Sequence, residues 1–164
     1  MQSQTTQSQE TLGPPNGDGH AARRAAMALL AEAHPDELGA GLAAIDGCLD
    51  ATEIRPAETG LMMVRGRIGG DGAPFNLGEA TVTRCAMQLA SGEIGHAYVL
   101  GRDREKARRA ALLDALWQTE MFRPVVERHV LAVVRARRDG ERAVTAARTA
   151  ATKVDFFTLV RGEN

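Results

Sequence analysis

The chain has 164 residues, and its 20 basic and 21 acidic side chains leave a formal net charge of −1. So even a balance lacks the field that draws a protein to nucleic acid or an anionic membrane surface, and neither is expected as a partner. Hydrophobic residues at 44% and charged residues at 25% describe a soluble globular chain long enough for one core.

The first twenty residues, MQSQTTQSQETLGPPNGDGH, lack the basic start, apolar stretch and small-residue cleavage site of a secretion signal. Rich in Gln, Ser, Thr, Gly and Pro, they cannot bury enough apolar surface to offset ordering, so a disordered tail is expected over 1–20. Residues 21–164 are expected to form a single domain in the cytoplasm. The longest apolar runs, such as Val130 to Val134, fall far short of the ~20 residues of a membrane span. Cys48 and Cys85 have no CxxC spacing, and with no signal both are expected as reduced, buried thiols.

In chain order, Ala22, Ala25, Ala26, Leu29, Leu30 and Ala33 recur at helical spacing from about His20, with Arg23, Arg24 and Glu32 on the other side. Pro35 ends that helix at His34 and opens a second, carrying Leu38, Leu42 and Ile45 and fading near Cys48 and Leu49. Three glycines, Gly39, Gly41 and Gly47, make this second helix dependent on packing. The period then changes. Thr52 to Arg55 and Leu61 to Ile68 read as strands joined by a turn around Pro56 to Gly60, followed by a glycine-rich loop at 69–74. Glu79 to Leu89 alternates, with Thr81, Thr83, Cys85, Met87 and Leu89 on one side; Ser91-Gly92 turns the chain, and Ile94 to Leu100 returns. No helix fits between these strands, so the sheet is an antiparallel meander.

Asp103 caps the next helix, whose wide apolar sector includes Ala107, Ala110, Ala111, Leu112, Ala115, Leu116 and Trp117 and is expected to lie on the sheet. Pro124 interrupts it, and Val125 to Val134 fits either strand or helix. Asp139-Gly140 reads as a boundary before a last helix with Ala143, Ala147, Ala150, Ala151 and Val154 on one face. The fold class is α+β: an N-terminal helical hairpin, a small antiparallel sheet and flanking C-terminal helices.

The common catalytic and nucleotide-binding signatures (HExxH, GxGxxG, GxxxxGK[ST], GxSxG) are absent, and the four histidines have no neighbours at ligand spacing, so no metal is expected. Four features could carry chemistry. In the first, Arg65 and Arg67 flank a loop whose Gly69, Gly70 and Gly72 let backbone N–H groups converge on an anion; the alternative is a plain connection with solvated arginines. In the second, Arg102 and Lys106 sit at a helix N-terminus, where the dipole favours anions. There the Asp103 carboxylate already occupies the anion's place, and Glu105–Arg109 is an ordinary surface pair, so capping is preferred. The third places Thr81, Thr83 and Cys85 on one strand face beside Glu79 and Arg84, but no base activates the thiol, and a core role for Cys85 is preferred. The fourth is the C-terminal pair Phe156-Phe157. Neighbours on a strand face opposite ways, so one Phe could pack internally and the other, with Arg161 nearby, against a partner subunit.

Several stretches together resemble the PhnG family of the bacterial carbon–phosphorus lyase system. They are PAETGL from Pro56, GGDGAPFNLGEATVTRC from Gly69 to Cys85, GHAYVLGRD from Gly95, LLDAL from Leu112 and the closing KVDFFTLVRGE from Lys153. The resemblance runs from about Arg23 to Glu163; the Gln/Ser tail stands outside it, and the family does not demand a cysteine at Cys85. It implies a subunit of a complex with PhnI-, PhnH- and PhnJ-like partners and a PhnL-like ATP-binding protein. That complex joins the ribose triphosphate of ATP to methylphosphonate and releases adenine, before a PhnJ-like radical enzyme breaks the C–P bond. ATP and methylphosphonate are then substrates of the complex, with the nucleosidase chemistry in the PhnI-like subunit and no cofactor on this chain. Because those substrates are anionic, Arg65, Arg67, Arg84 and Arg102 become the candidate contacts.

Overall fold

The computed structural model describes residues 17–45, 49–68 and 71–152. Helix α1 spans Gly17–Glu32 and so starts three residues before His20; α2 spans Pro35–Ala43. The buried face of α1 is Ala26, Leu29, Leu30 and Ala33, while Ala22 and Ala25 are exposed. Alanine's short side chain lets it sit on either face, so the larger leucines set the orientation. Pro35 opens α2 as expected, and Glu37 reaches back to accept a hydrogen bond from the His34 N–H at 2.7 Å. Gly41 is buried against Val130, where a Cβ would overlap the valine methyl.

Strands β1 (Ala51–Gly66), β2 (Phe75–Leu89) and β3 (Ile94–Leu100) form one antiparallel sheet in the order β1-β2-β3, the meander expected. The turn expected at Pro56 to Gly60 does not form. β1 runs straight through it and absorbs the irregularity as register shifts between Glu53 and Arg55 and between Arg55 and Glu58. β1 is an edge strand, so the N–H that Pro56 lacks need not cost a ladder bond, and a bulge takes up the extra residue. Glu53 fixes the bulge by accepting from the Ala57 N–H at 2.9 Å.

Helix α3 (Arg104–Gln118) crosses one face of the sheet, capped by Asp103, which accepts from the Lys106 N–H at 2.9 Å. Its approach is set at Gly95 on β3, where any Cβ would run into the Ala111 carbonyl and Ala115. Asp114 of α3 is fully buried. Arg23 donates to it from Nε at 3.1 Å and Nη2 at 2.7 Å, and the His96 N–H at 2.9 Å. Arg23 therefore ties α1 to α3 and β3, not to solvent as its place on the helical wheel suggested. Trp117 is buried as expected and donates from Nε1 to Glu127 at 2.8 Å.

Val125 to Val134 resolves as helix. Helix α4 (Arg123–Val126), a π-helical turn at Glu127–Leu131 and α5 (Ala132–Ala151) follow without a break. The extra residue of the π turn puts both Val130 and Leu131 into the core, between Val126 and Val134. Asp139-Gly140 is no boundary, because α5 runs through it. The Gly140 penalty of ~1 kcal/mol is offset by ion pairs of Arg137 with Glu141 at 3.0 Å and Glu37 at 2.9 Å.

Candidate functional site

The arginines singled out by sequence do not converge. Arg65 pairs across the sheet with Asn76 near the far end of the β1–β2 hairpin, whereas Arg84 lies eight residues further along β2. At about 3.4 Å per residue that is roughly 27 Å, so one anion cannot touch both. Arg84 also has a partner: its Nε donates to Glu58 at 2.8 Å, and Arg55 donates to the same oxygen at 2.6 Å. Those two guanidinium groups hold the Glu58 carboxyl below its usual range. The network is exposed, so it contributes little to stability.

Arg67 lies in the hairpin connection, where Gly72 is required: a Cβ there would stand 2.7 Å from the Ile68 carbonyl oxygen. Gly69 and Gly70 lie outside the described residues, so the proposed nest of N–H groups has no described geometry. Arg102 is exposed between β3 and α3, beside an Asp103 that caps as expected. Glu105 pairs with Arg109 at 3.0 Å. Arg65, Arg67 and Arg102 form no ion pair among the described residues. Phe156, Phe157 and Arg161 lie outside the described residues.

Cys85 sits in the core with Ala97 opposite, its Sγ 3.5 Å from both Glu53 Oε1 and the Arg55 carbonyl. Burial first, then the hydrogen bond to Glu53 and that carboxylate's charge, push the thiol up to about 11. It is thus the opposite of an activated nucleophile. In a Cys48→Ser background, iodoacetamide at pH 8 should label native Cys85 roughly a hundredfold more slowly than the urea-unfolded chain, because so little thiolate exists below a pKa that high. Labelling at the unfolded rate in the native protein would count against this placement.

Sequence reasoning missed one juxtaposition. Where α1 passes the edge of β3, Arg24, Met27, Ala28, Leu30, Ala31, His96 and Tyr98 line a cleft of about 270 Å³. An adjoining hollow of about 300 Å³ shares Arg24, Met27 and His96 and adds His20 and Arg23. The lining is an apolar floor with Arg24, His20 and His96 at its rim, while Arg23 is already held by Asp114. Its parts come from stretches about 75 residues apart, a proximity that spacing cannot reveal.

Residues 21–162 match the family of the phosphonate metabolism protein PhnG. The chain is also 51% identical over 146 residues to the alpha-D-ribose 1-methylphosphonate 5-triphosphate synthase subunit PhnG of Rhizobium meliloti (strain 1021), a match covering 89% of this chain and 93% of that protein. The matched span holds the whole sheet, the helices on it and the Arg23–Asp114 pair, and on these grounds the chain belongs to the PhnG family of phosphonate metabolism proteins.

Proposed function

We propose that this chain is a subunit of the synthase that transfers the ribose triphosphate of ATP to methylphosphonate with release of adenine, and that it acts by shaping the complex and not as its catalytic subunit. The observation that supports this most is the 51% identity, over nearly the full length of both chains, to a subunit of that synthase. The partners are PhnI-, PhnH- and PhnJ-like subunits and a PhnL-like ATP-binding protein, with ATP and methylphosphonate as substrates of the assembly and no cofactor held by this chain. The buried thiol of Cys85 is held protonated and so supplies no activated nucleophile.

A second reading, in which the chain lends arginines to the substrate site, draws on Arg65, Arg67 and Arg102 having no ion-pair partner among the described residues. Purified partner subunits, ATP and methylphosphonate, assayed for adenine with and without this chain, test the first reading: omission should abolish turnover. If turnover is unchanged, the reading falls. In the reconstituted complex, Arg67→Ala should leave the rate within twofold if the chain only shapes the assembly. A loss of roughly a hundredfold with assembly intact would instead mark a contact made in the transition state.

A further inference from the structure

The β1–β2 hairpin outgrows the rest of the fold. β3 pairs with β2 only from Val82 to Gln88, while β1 and β2 stay paired through six more positions, from Leu61 opposite Thr81 to Gly66 opposite Phe75. This stretch is a two-stranded arm. Side chains alternate along it, so Leu61 and Met63 continue the face that α3 covers further back, and Met62 and Val64 the opposite face. Neither face is covered by another described element: Leu61 is 66% exposed, Met63 50%, Met62 45% and Leu77 61%, with Ile68 at the tip 76% exposed.

An isolated two-stranded ribbon is marginal in water, and one that is apolar on both faces is a liability unless something encloses it. We infer that the arm inserts into a cleft with two apolar walls on another subunit of the synthase, and so is the element by which this chain docks into its complex. The inference rests on the synthase-subunit reading above.

Three observations favour this occupant. The exposed apolar residues of the arm and its tip present on the order of 700 Å² of surface, against the ~800 Å² per partner of a standard stable interface. Two methionines in a row, Met62-Met63, supply side chains that adapt to a partner's surface. A second copy of this chain fits less well. Its described hollows at α1–β3 and beside α5 hold about 600 and 830 Å³ of empty space, whereas six pairs of strand residues fill on the order of 1,500 Å³. Edge-to-edge pairing of two arms would also leave both faces in water. Beside the tip of the arm Arg65 and Arg67 stand exposed without ion-pair partners among the described residues, so the cleft should carry carboxylates at its inner end.

The test is co-purification of the tagged full chain with co-expressed partner subunits, comparing wild type, Leu61→Asp/Leu77→Asp and, as a charge control, Val144→Asp on the exposed side of α5. Because the arm packs on no other element among the described residues, the double variant should keep the wild-type circular dichroism spectrum. The expected result is at least a tenfold loss of recovered partners for the double variant and none for Val144→Asp. Wild-type recovery by the double variant would overturn the docking role while leaving the subunit reading intact. A wild-type chain that recovers no partner would overturn both. A wild-type dimer in isolation that the double variant turns into a monomer would give the arm to a second copy and overturn the inference.

Discussion

Arg23→Ala is expected to destabilise the protein by about 3–5 kcal/mol, the range for removing one partner of a buried ion pair. Asp114 has no exposed surface, and among the described residues its carboxylate is paired with the guanidinium of Arg23 alone. Without Arg23 it keeps the His96 N–H and little else. The loss extends beyond the pair, because Arg23 Nη2 also donates to the Ile94 carbonyl at 2.9 Å, fastening α1 to the edge strand. At roughly 2–4 °C per kcal/mol for a chain of this size, thermal unfolding should shift down by about 6–20 °C. Replacing the acid as well, in Arg23→Ala/Asp114→Asn, removes the stranded charge and should recover part of the loss. A double-mutant cycle should then give a coupling of about 2 kcal/mol. A shift under 2 °C for Arg23→Ala would mean that α1 does not depend on this pair.

The history of that pair shows what the sequence made legible. Arg23 and Asp114 lie 91 positions apart, and periodicity put Arg23 on the solvent side of α1; only the fold brings it over Asp114. Elements with a strong period were readable: the α1–α2 hairpin, the Glu79–Leu89 and Ile94–Leu100 strands, and α3 with its Asp103 cap. The failures came where one residue type serves two purposes. Pro56 and Gly60 signal a turn, but on an edge strand they also suit a bulged, continuous strand. Asp139-Gly140 signals a break, yet a helix held by Arg137 to Glu37 and Glu141 runs through it. The valine-rich stretch before it could not be assigned because a π turn shifts the apolar register by one residue. Among the candidate sites, the expectation of a core thiol at Cys85 and an ordinary cap at Asp103 matched the structure. The arginines were found as residues but not as a site, since whether Arg65 and Arg84 meet depends on strand register.

Gly95→Ala is expected to cost about 3 kcal/mol, the upper part of the usual range for overpacking, and Gly95→Val to prevent accumulation of folded protein. An alanine Cβ at this position would overlap the Ala111 carbonyl oxygen and press on Ala115. Backbone atoms of a helix cannot swing aside as a side-chain tip can, so α3 must lift off the sheet as a body. That movement would open the layer formed by Ala97, Val99 and Cys85 below and Ala107, Ala110 and Ala111 above, where small residues on both sides already bring helix and strand into close approach. Lifting α3 would also pull Asp114 away from Arg23 and the His96 N–H, so the Gly95 and Arg23 substitutions should be less than additive. Urea unfolding of Gly95→Ala should show a lowered midpoint, with near-ultraviolet dichroism of Trp117 reporting any change in packing of α3. A midpoint equal to wild type would show that the helix tolerates a methyl at its closest approach, and that Gly95 is not what sets the distance between α3 and the sheet.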